Sequence, residues 1–314
     1  MSYLYLSGES SALMNTLLPK EVVRKLSNAS SYSDALDILQ GTIYGNYLQS
    51  GDVEGAMSHE YNELNSFIKT ECPESSIVDF FLLPFDYDNI ETICKCKLLG
   101  LSEDSYLEIE GKYSFDFLKD VIRDKRYDKL NNQFMFDMLV EYNKKISTQT
   151  MSSKEIDYLF QKYKFKNIKS LFKSGMMKSL ADFALDTENI SIALRCASKE
   201  ELLNNMVCTG TLSEHFLIDV LNRNPRCLSS CAEEYKSLLE CVFNSNNIRN
   251  LAKYELMRRQ MVFKFIEDYL YNPETPAIFL KYIYSKIYEI ENLHLIINLQ
   301  KENLGEKIKT RLIE

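Results

Sequence analysis

The chain is 314 residues long, enough for a substantial buried core in one large domain or in two to three smaller ones. Only 10 glycines and 6 prolines interrupt it, well below ordinary usage, and this scarcity of helix breakers favours an all-α fold. Its 37 basic against 45 acidic side chains leave a formal net charge of -8, which repels the phosphates of nucleic acid and argues against such a partner.

No stretch approaches the roughly 20 apolar residues of a membrane-spanning helix, and the first eleven residues lack the basic and apolar regions of a signal peptide. The expectation is a soluble, intracellular protein with no transmembrane segment. A first helical block opens near Ser33, at Ser33-Asp34-Ala35-Leu36. Next comes an aromatic residue, an asparagine four residues later and an apolar face at helical spacing: Phe85-Asp86-Tyr87-Asp88-Asn89-Ile90, then Ile93, Cys94 and Leu98, with Gly100 as a left-handed stop. The apolar run 80–83 is too short, and too free of alternation, to predict a strand. In 102–113, Tyr106, Leu107 and Ile109 fit a helix or a short extended piece equally well.

A second block opens at Ser114-Phe115-Asp116-Phe117, and Ser152 with Glu155 predicts a helix start through a capping box. The aromatic-to-asparagine pattern returns at Tyr163-Lys164-Phe165-Lys166-Asn167-Ile168, followed by Leu171, Phe172 and Met176. Further capping boxes are predicted at Ser198 with Glu201, which opens the third block, and at Thr211 with Glu214. Thr275-Pro276 predicts the start of a long last helix, with proline at the first helical position. Its apolar face runs through Phe279, Ile283, Ile287, Ile290 and Ile297, with no glycine or proline before Gly305. A third, looser copy of the pattern lies there, at Tyr288-Glu289-Ile290-Glu291-Asn292-Leu293, then Ile296 and Ile297, with Lys301 in the last apolar place.

Three blocks and three patterned helices in matched order predict three similar helical units, 1–105, 106–195 and 196–314, the last carrying an insertion around 220–250. Units of this kind bury their apolar faces only against neighbours, and the concave surfaces that result bind other proteins.

Signals for chemistry are missing. No phosphate loop, no His-x-x-x-His pair and no Gly-x-Ser-x-Gly elbow is present. The expectation is therefore no catalytic residue, no cofactor and no metal. Cys227 and Cys231 stand one helical turn apart and could share a metal with His215, but no fourth ligand is evident; the eight cysteines are read as reduced, mostly buried thiols. One charge run stands out: Lys162, Lys164, Lys166, Lys169, Lys173 and Lys178. It reads as a solvated helix face, or else as a contact for an acidic partner or anionic lipid headgroups.

The run Glu274-Thr275-Pro276-Ala277-Ile278-Phe279-Leu280-Lys281-Tyr282, with Lys286-x-x-Glu289-x-x-Asn292-Leu293 after it, resembles the closing helix of the C subunit of bacterial V-type ATPases, the counterpart of the eukaryotic d subunit. Asp86-Tyr87-Asp88-Asn89-Ile90 through Lys95, Lys97 and Leu98-Leu99-Gly100 is similar to an earlier helix of that family, and so is the opening block from Leu17-Leu18-Pro19 to Gly41-Thr42-Ile43-Tyr44-Gly45. The chain departs from the family pattern at His294, where a basic residue is usual, and after Gly175, where a Pro-Gly-Gly-type turn is missing; 220–250 matches by position alone. The resemblance implies an all-α, pseudo-threefold funnel of three helical domains, a ring in which the N-terminal block 1–50 closes on the C-terminus. It also implies a non-catalytic central-stalk rotor subunit, one copy per complex, whose partners are the other stalk subunits and the membrane rotor ring at the cytoplasmic face. Torque between ATP hydrolysis or synthesis and the movement of protons or sodium would pass through it. Lys286 and Glu289, one turn apart, are expected to form a helix-surface pair contributing about 0.2–0.5 kcal/mol, a contact with the stalk being the alternative role. An unrelated helical-repeat scaffold and a helical enzyme with a deep polar pocket are the competing readings.

Overall fold

In the computed structural model, the described residues are 2–48, 52–102, 109–148, 151–208, 210–243, 251–302, 304, 305 and 308. Their regular structure is all helix, with no strand among them. Tyr106, Leu107 and the end of the expected insertion, 244–250, lie outside the described residues. The chain divides into two compact units, one made of Met1–Pro73 and Ala252–Glu314, the other of Glu74–Leu251.

The first unit opens with α1 (Tyr3–Leu13), α2 (Lys20–Ser27), α3 (Tyr32–Gln40) and α4 (Val53–Glu71). The second unit contains α5 (Ser75–Leu99), α6 (Phe115–Arg123), α7 (Gln133–Thr148), α8 (Ser153–Ser170) and α9 (Met176–Arg195), then the shorter α10 (Lys199–Asn205), α11 (Glu214–Leu221), α12 (Arg226–Ser230) and α13 (Glu233–Phe243). The chain returns to the first unit through α14 (Leu251–Glu267) and ends on α15 (Ala277–Lys301).

Helix ends follow local chemistry. The Ser152 hydroxyl accepts the Glu155 N–H while Glu155 accepts the Ser152 N–H at 2.8 Å, a complete capping box. Ser114 and Ser198 cap α6 and α10, though Glu201 turns back to the Ala197 N–H instead. Gly100, at φ 66°, stops α5 in the left-handed conformation. Two expected starts shift. Ser31, not Ser33, caps α3, and Ser213, not Thr211, caps α11. Thr211 is drawn elsewhere by a buried carboxylate, as described below.

Most helices present one apolar stripe, but α5, α9 and α15 are buried over several faces, which makes them central to their units. In the second unit Leu83, Tyr87, Ile90 and Cys94 of α5 pack with Leu118 of α6, Met138 of α7 and Phe160 of α8. In the first, Ile290, Leu293, Ile296 and Ile297 of α15 pack with Leu26, Leu39 and Ala56 of α2, α3 and α4. The N-terminal helices thus lie on the last helix, although more than two hundred residues separate them.

Candidate functional site

The three central helices share a feature that the aromatic-to-asparagine pattern overlaps without defining. Each carries an acid, any residue, a second acid and an asparagine: Asp86-Tyr87-Asp88-Asn89, Asp186-Thr187-Glu188-Asn189 and Glu289-Ile290-Glu291-Asn292. The first acid and the asparagine are three residues apart and so share one helix face; all six of these side chains are buried.

On α5, Asp86 accepts the backbone N–H groups of Lys112 and Tyr113, each at 3.1 Å, and the Asn89 amide donates to the Ile109 carbonyl at 3.0 Å. Gly111 makes this approach possible, because a Cβ there would stand 2.4 Å from Asp86 Oδ1. On α9, Asp186 accepts the N–H groups of Thr211 and Leu212 at 3.0 and 3.1 Å, the Tyr235 hydroxyl at 2.9 Å and the Thr211 hydroxyl. Asn189 accepts the Val207 N–H and donates to the Cys208 carbonyl. Gly210 plays the part of Gly111, its imaginary Cβ falling 2.2 Å from Asp186 Oδ1. In both copies the glycine is followed three residues later by the serine that caps the next helix, Ser114 or Ser213. The second copy of the repeat is therefore at 186–190. Asn167, expected to be its asparagine, donates instead to the Tyr87 hydroxyl and ties α8 to α5.

On α15 the acid is a glutamate, and its partners come from the N-terminal block. Glu289 accepts the Leu18 N–H and, at 2.7 Å, the Tyr44 hydroxyl. Lys286 donates to Glu289 at 2.9 Å and to the Tyr44 hydroxyl at 3.1 Å, and pairs with Glu60 of α4 at 2.8 Å. Burial, and then the Glu289 carboxylate, hold the Tyr44 phenol far above its ordinary pKa. Lys286 and Glu289 are only 5 % and 9 % exposed, so the surface pair expected from their spacing is an interior network. Phe279, Tyr282, Ile283, Ile290, Leu293 and Ile297 surround Lys286 at helical spacing in the sequence. That pattern marks its position as buried.

The lysine run spreads over both sides of α8. Lys164 pairs with Asp88 at 3.0 Å, and Lys178 pairs with Asp182 within α9. Lys162, Lys166 and Lys169 share the other side; Lys162 and Lys173 are exposed, while Lys166 and Lys169 are partly covered. Between α7, α8 and α10 lies an open groove of about 600 Å³ lined by Glu141, Lys145, Lys154, Glu155, Lys162 and Glu201 among others. Its charges are largely neutralised in place, Lys145 by Glu141 at 3.0 Å and Lys154 by Glu201 at 3.1 Å, and its Ser152 and Ser198 hydroxyls serve as helix caps. Of the histidines, His294 pairs with Glu54 at 2.9 Å. Among the described residues no three His, Cys, Asp or Glu side chains converge as a metal site.

One ionisable cluster bears on stability. Lys95 of α5 lies 2.6 Å from Glu91 and also pairs with Asp157 of α8. Burial, opposed by Lys95 and reinforced by Asp157, pushes the Glu91 carboxyl up from 4.5 to about 7. Between those values the folded protein holds a proton that the unfolded chain has released, so this contribution is complete below pH 4.5 and is lost as the pH rises through about 7. Glu91→Gln is expected to flatten the stability profile between about pH 5 and 8 by about 1–3 kcal/mol; urea titrations across that range check it, and an unchanged slope rejects it.

Asp86, Asp186 and Glu289 each hold a backbone segment against a central helix, and the described residues form an all-helical protein built on these locks. It matches the family model of the ATP synthase (C/AC39) subunit over residues 6–311 and belongs to that family. It is also similar to the C subunit of the V-type sodium ATPase of Enterococcus hirae, with 22% identity over 310 residues that cover 94% of this chain and 93% of that protein. No helix among the described residues is long and apolar enough to cross a membrane.

Proposed function

We propose that the protein is the non-catalytic central-stalk subunit of a V-type ATPase, present once per complex on the cytoplasmic face of the membrane. It acts as a rigid spacer that couples stalk rotation to the membrane rotor ring, and so ATP hydrolysis or synthesis to ion transport. The observation that supports this reading is the family match over residues 6–311, together with the likeness across 93% of a relative named as the C subunit of a V-type sodium ATPase. In the same proposal the three acid-bearing helices belong to three units, 1–105, 106–195 and 196–314, set around a pseudo-threefold funnel. The first two acids hold the segment that follows their helix, while the third holds Leu18 near the chain's start, as a ring closed by its two ends would require. Stiffness suits the role, since a compliant spacer would store rotation as elastic twist, and close-packed helices with buried polar locks resist it.

Co-purification with the organism's V-type stalk subunits and its detergent-solubilised rotor ring, at low and high salt, tests this. Stoichiometric capture of one copy by both is expected; capture by neither returns the chain to a scaffold of another kind.

A further inference from the structure

Helix α1 is held differently from the helices that follow it. Leu26 of α2, Leu39 of α3 and Ala56 of α4 enter the core against α15. In α1 the buried residues are Leu6, Ser7 and Ser10, so only one apolar side chain is fully sequestered, while Leu4 and Tyr5 remain 59 % and 58 % exposed. The helix lies along α15, and the Ser7 hydroxyl donates to the Pro273 carbonyl at 2.8 Å. Among the described residues, the buried Ser10 hydroxyl and the buried Oε2 of Glu9 find no hydrogen-bond partner, and dry polar atoms of this kind weaken the docked state. Nor does α1 support itself. Its eleven residues include Gly8 and three serines, and Ser2 precedes it without a side-chain capping bond; helices of that length are marginal in water even when built from good formers. The chain is fastened again soon afterwards, where Leu18, five residues beyond Leu13, gives its N–H to Glu289.

We propose that α1 is a strap that folds where it docks on α15 and comes away as one piece while the chain from Leu18 onward stays in place. Docking gains one fully buried apolar side chain and one serine hydrogen bond, and undocking relieves two dry polar atoms, so the balance is set locally rather than by the core of the unit. Leu18 is the stop for this opening, because its lock on Glu289 is shared with Lys286 and Tyr44, which lie outside α1. Release bares the side of α15 that α1 covers. The inference does not rest on the function proposed above.

Hydrogen exchange of the full chain, followed amide by amide, tests this. The amides of α1 are expected to exchange about a hundredfold or more faster than that of Leu18 and those of α15. Gly8→Ala, whose added Cβ meets no heavy atom within 4 Å, is expected to slow exchange in α1 about two- to fivefold, the gain of a helix that forms on docking. Leu6→Ala is expected to speed it about tenfold or more. Both variants should leave exchange at Leu18 and in α15 unchanged. Equal protection of α1 and α15, acceleration at Leu18 together with α1 in Leu6→Ala, or a Leu6→Ala chain that does not fold overturns the proposal and makes α1 part of the unit's core. Unchanged exchange in Gly8→Ala overturns it as well, since a helix that folds only on docking must respond to that substitution.

Discussion

Replacing Asp186 by alanine is expected to free the segment around Thr211 and to lower the stability of the second unit by about 3–5 kcal/mol. The carboxylate is wholly buried and collects two backbone N–H groups and two hydroxyls. Hydrogen bonds to a charged acceptor contribute about 1.5–3 kcal/mol each, and donors left dry cost a comparable amount; water entering the gap recovers part of the sum. Asp186→Asn keeps the shape but turns an NH2 group toward N–H donors, so an intermediate loss is expected. Gly210→Ala attacks the same contact from the other side, through a Cβ 2.2 Å from the carboxylate. The double variant should therefore cost little more than the worse single one. Urea unfolding gives the totals, and amide exchange at Thr211 and Leu212 reports the local release. A loss below about 1 kcal/mol, with exchange unchanged, would show that water or a neighbour replaces the carboxylate at no cost.

How far the sequence could be read depends on the range of the interaction that decides each element. Ser152, Ser114 and Gly100 act within four residues of themselves, and the helix ends they predict are present. The length of α15 was likewise legible, because an uninterrupted apolar period is a local property. The repeat was legible in its first and last copies and displaced in the middle one. Tyr163 and Asn167 satisfy an aromatic-then-asparagine rule, but the residue three before Asn167 is Lys164, which cannot accept an N–H. The requirement is an acid three residues before the asparagine, followed about 25 residues later by Gly-x-x-Ser, a pairing that occurs at Gly111 with Ser114 and at Gly210 with Ser213. Thr211 was misread for a related reason. Its hydroxyl suits a helix cap, yet a buried anion is the stronger claimant for it and for its N–H.

The Lys286 network shows the opposite limit. Its position amid an apolar stripe was visible in the sequence, but Glu60 and Tyr44 come from segments more than two hundred residues away, and no spacing rule relates them to α15. Glu289 is one turn from Lys286 on α15, but only the packing of α4 and the N-terminal block against that helix brings the second carboxylate, Glu60, and the Tyr44 hydroxyl to the same ammonium. The same packing explains why this acid is a glutamate. Its segment approaches from a remote part of the chain, and the extra methylene reaches Leu18 and Tyr44 together.

Lys286→Met is therefore expected to be strongly destabilising at neutral pH, by about 3–5 kcal/mol, although methionine fills nearly the same volume. Glu60 and Glu289 each lie within 3 Å of the lysine nitrogen, so without it two buried carboxylates face each other with no cation between them. Like charges in such a site force one to take up a proton, which raises its pKa above that of the unfolded chain. A raised carboxylate favours the folded state at low pH and loses that advantage as the pH increases, so the variant should be least impaired in acid and progressively weaker toward neutrality. Lys286→Met with Glu60→Gln removes one of the two charges and should recover much of the loss, most clearly at the higher pH. Thermal melts of the single and double variants across pH 5 to 8 read these differences, and equal melting of the single variant at both ends would reject the account. Amide exchange at Leu18 separates two ways of failing. If Glu289 keeps its hold on that N–H, the N-terminal block stays locked to α15 and the loss is confined to α4; if exchange accelerates, the network is what fastens the start of the chain to its last helix.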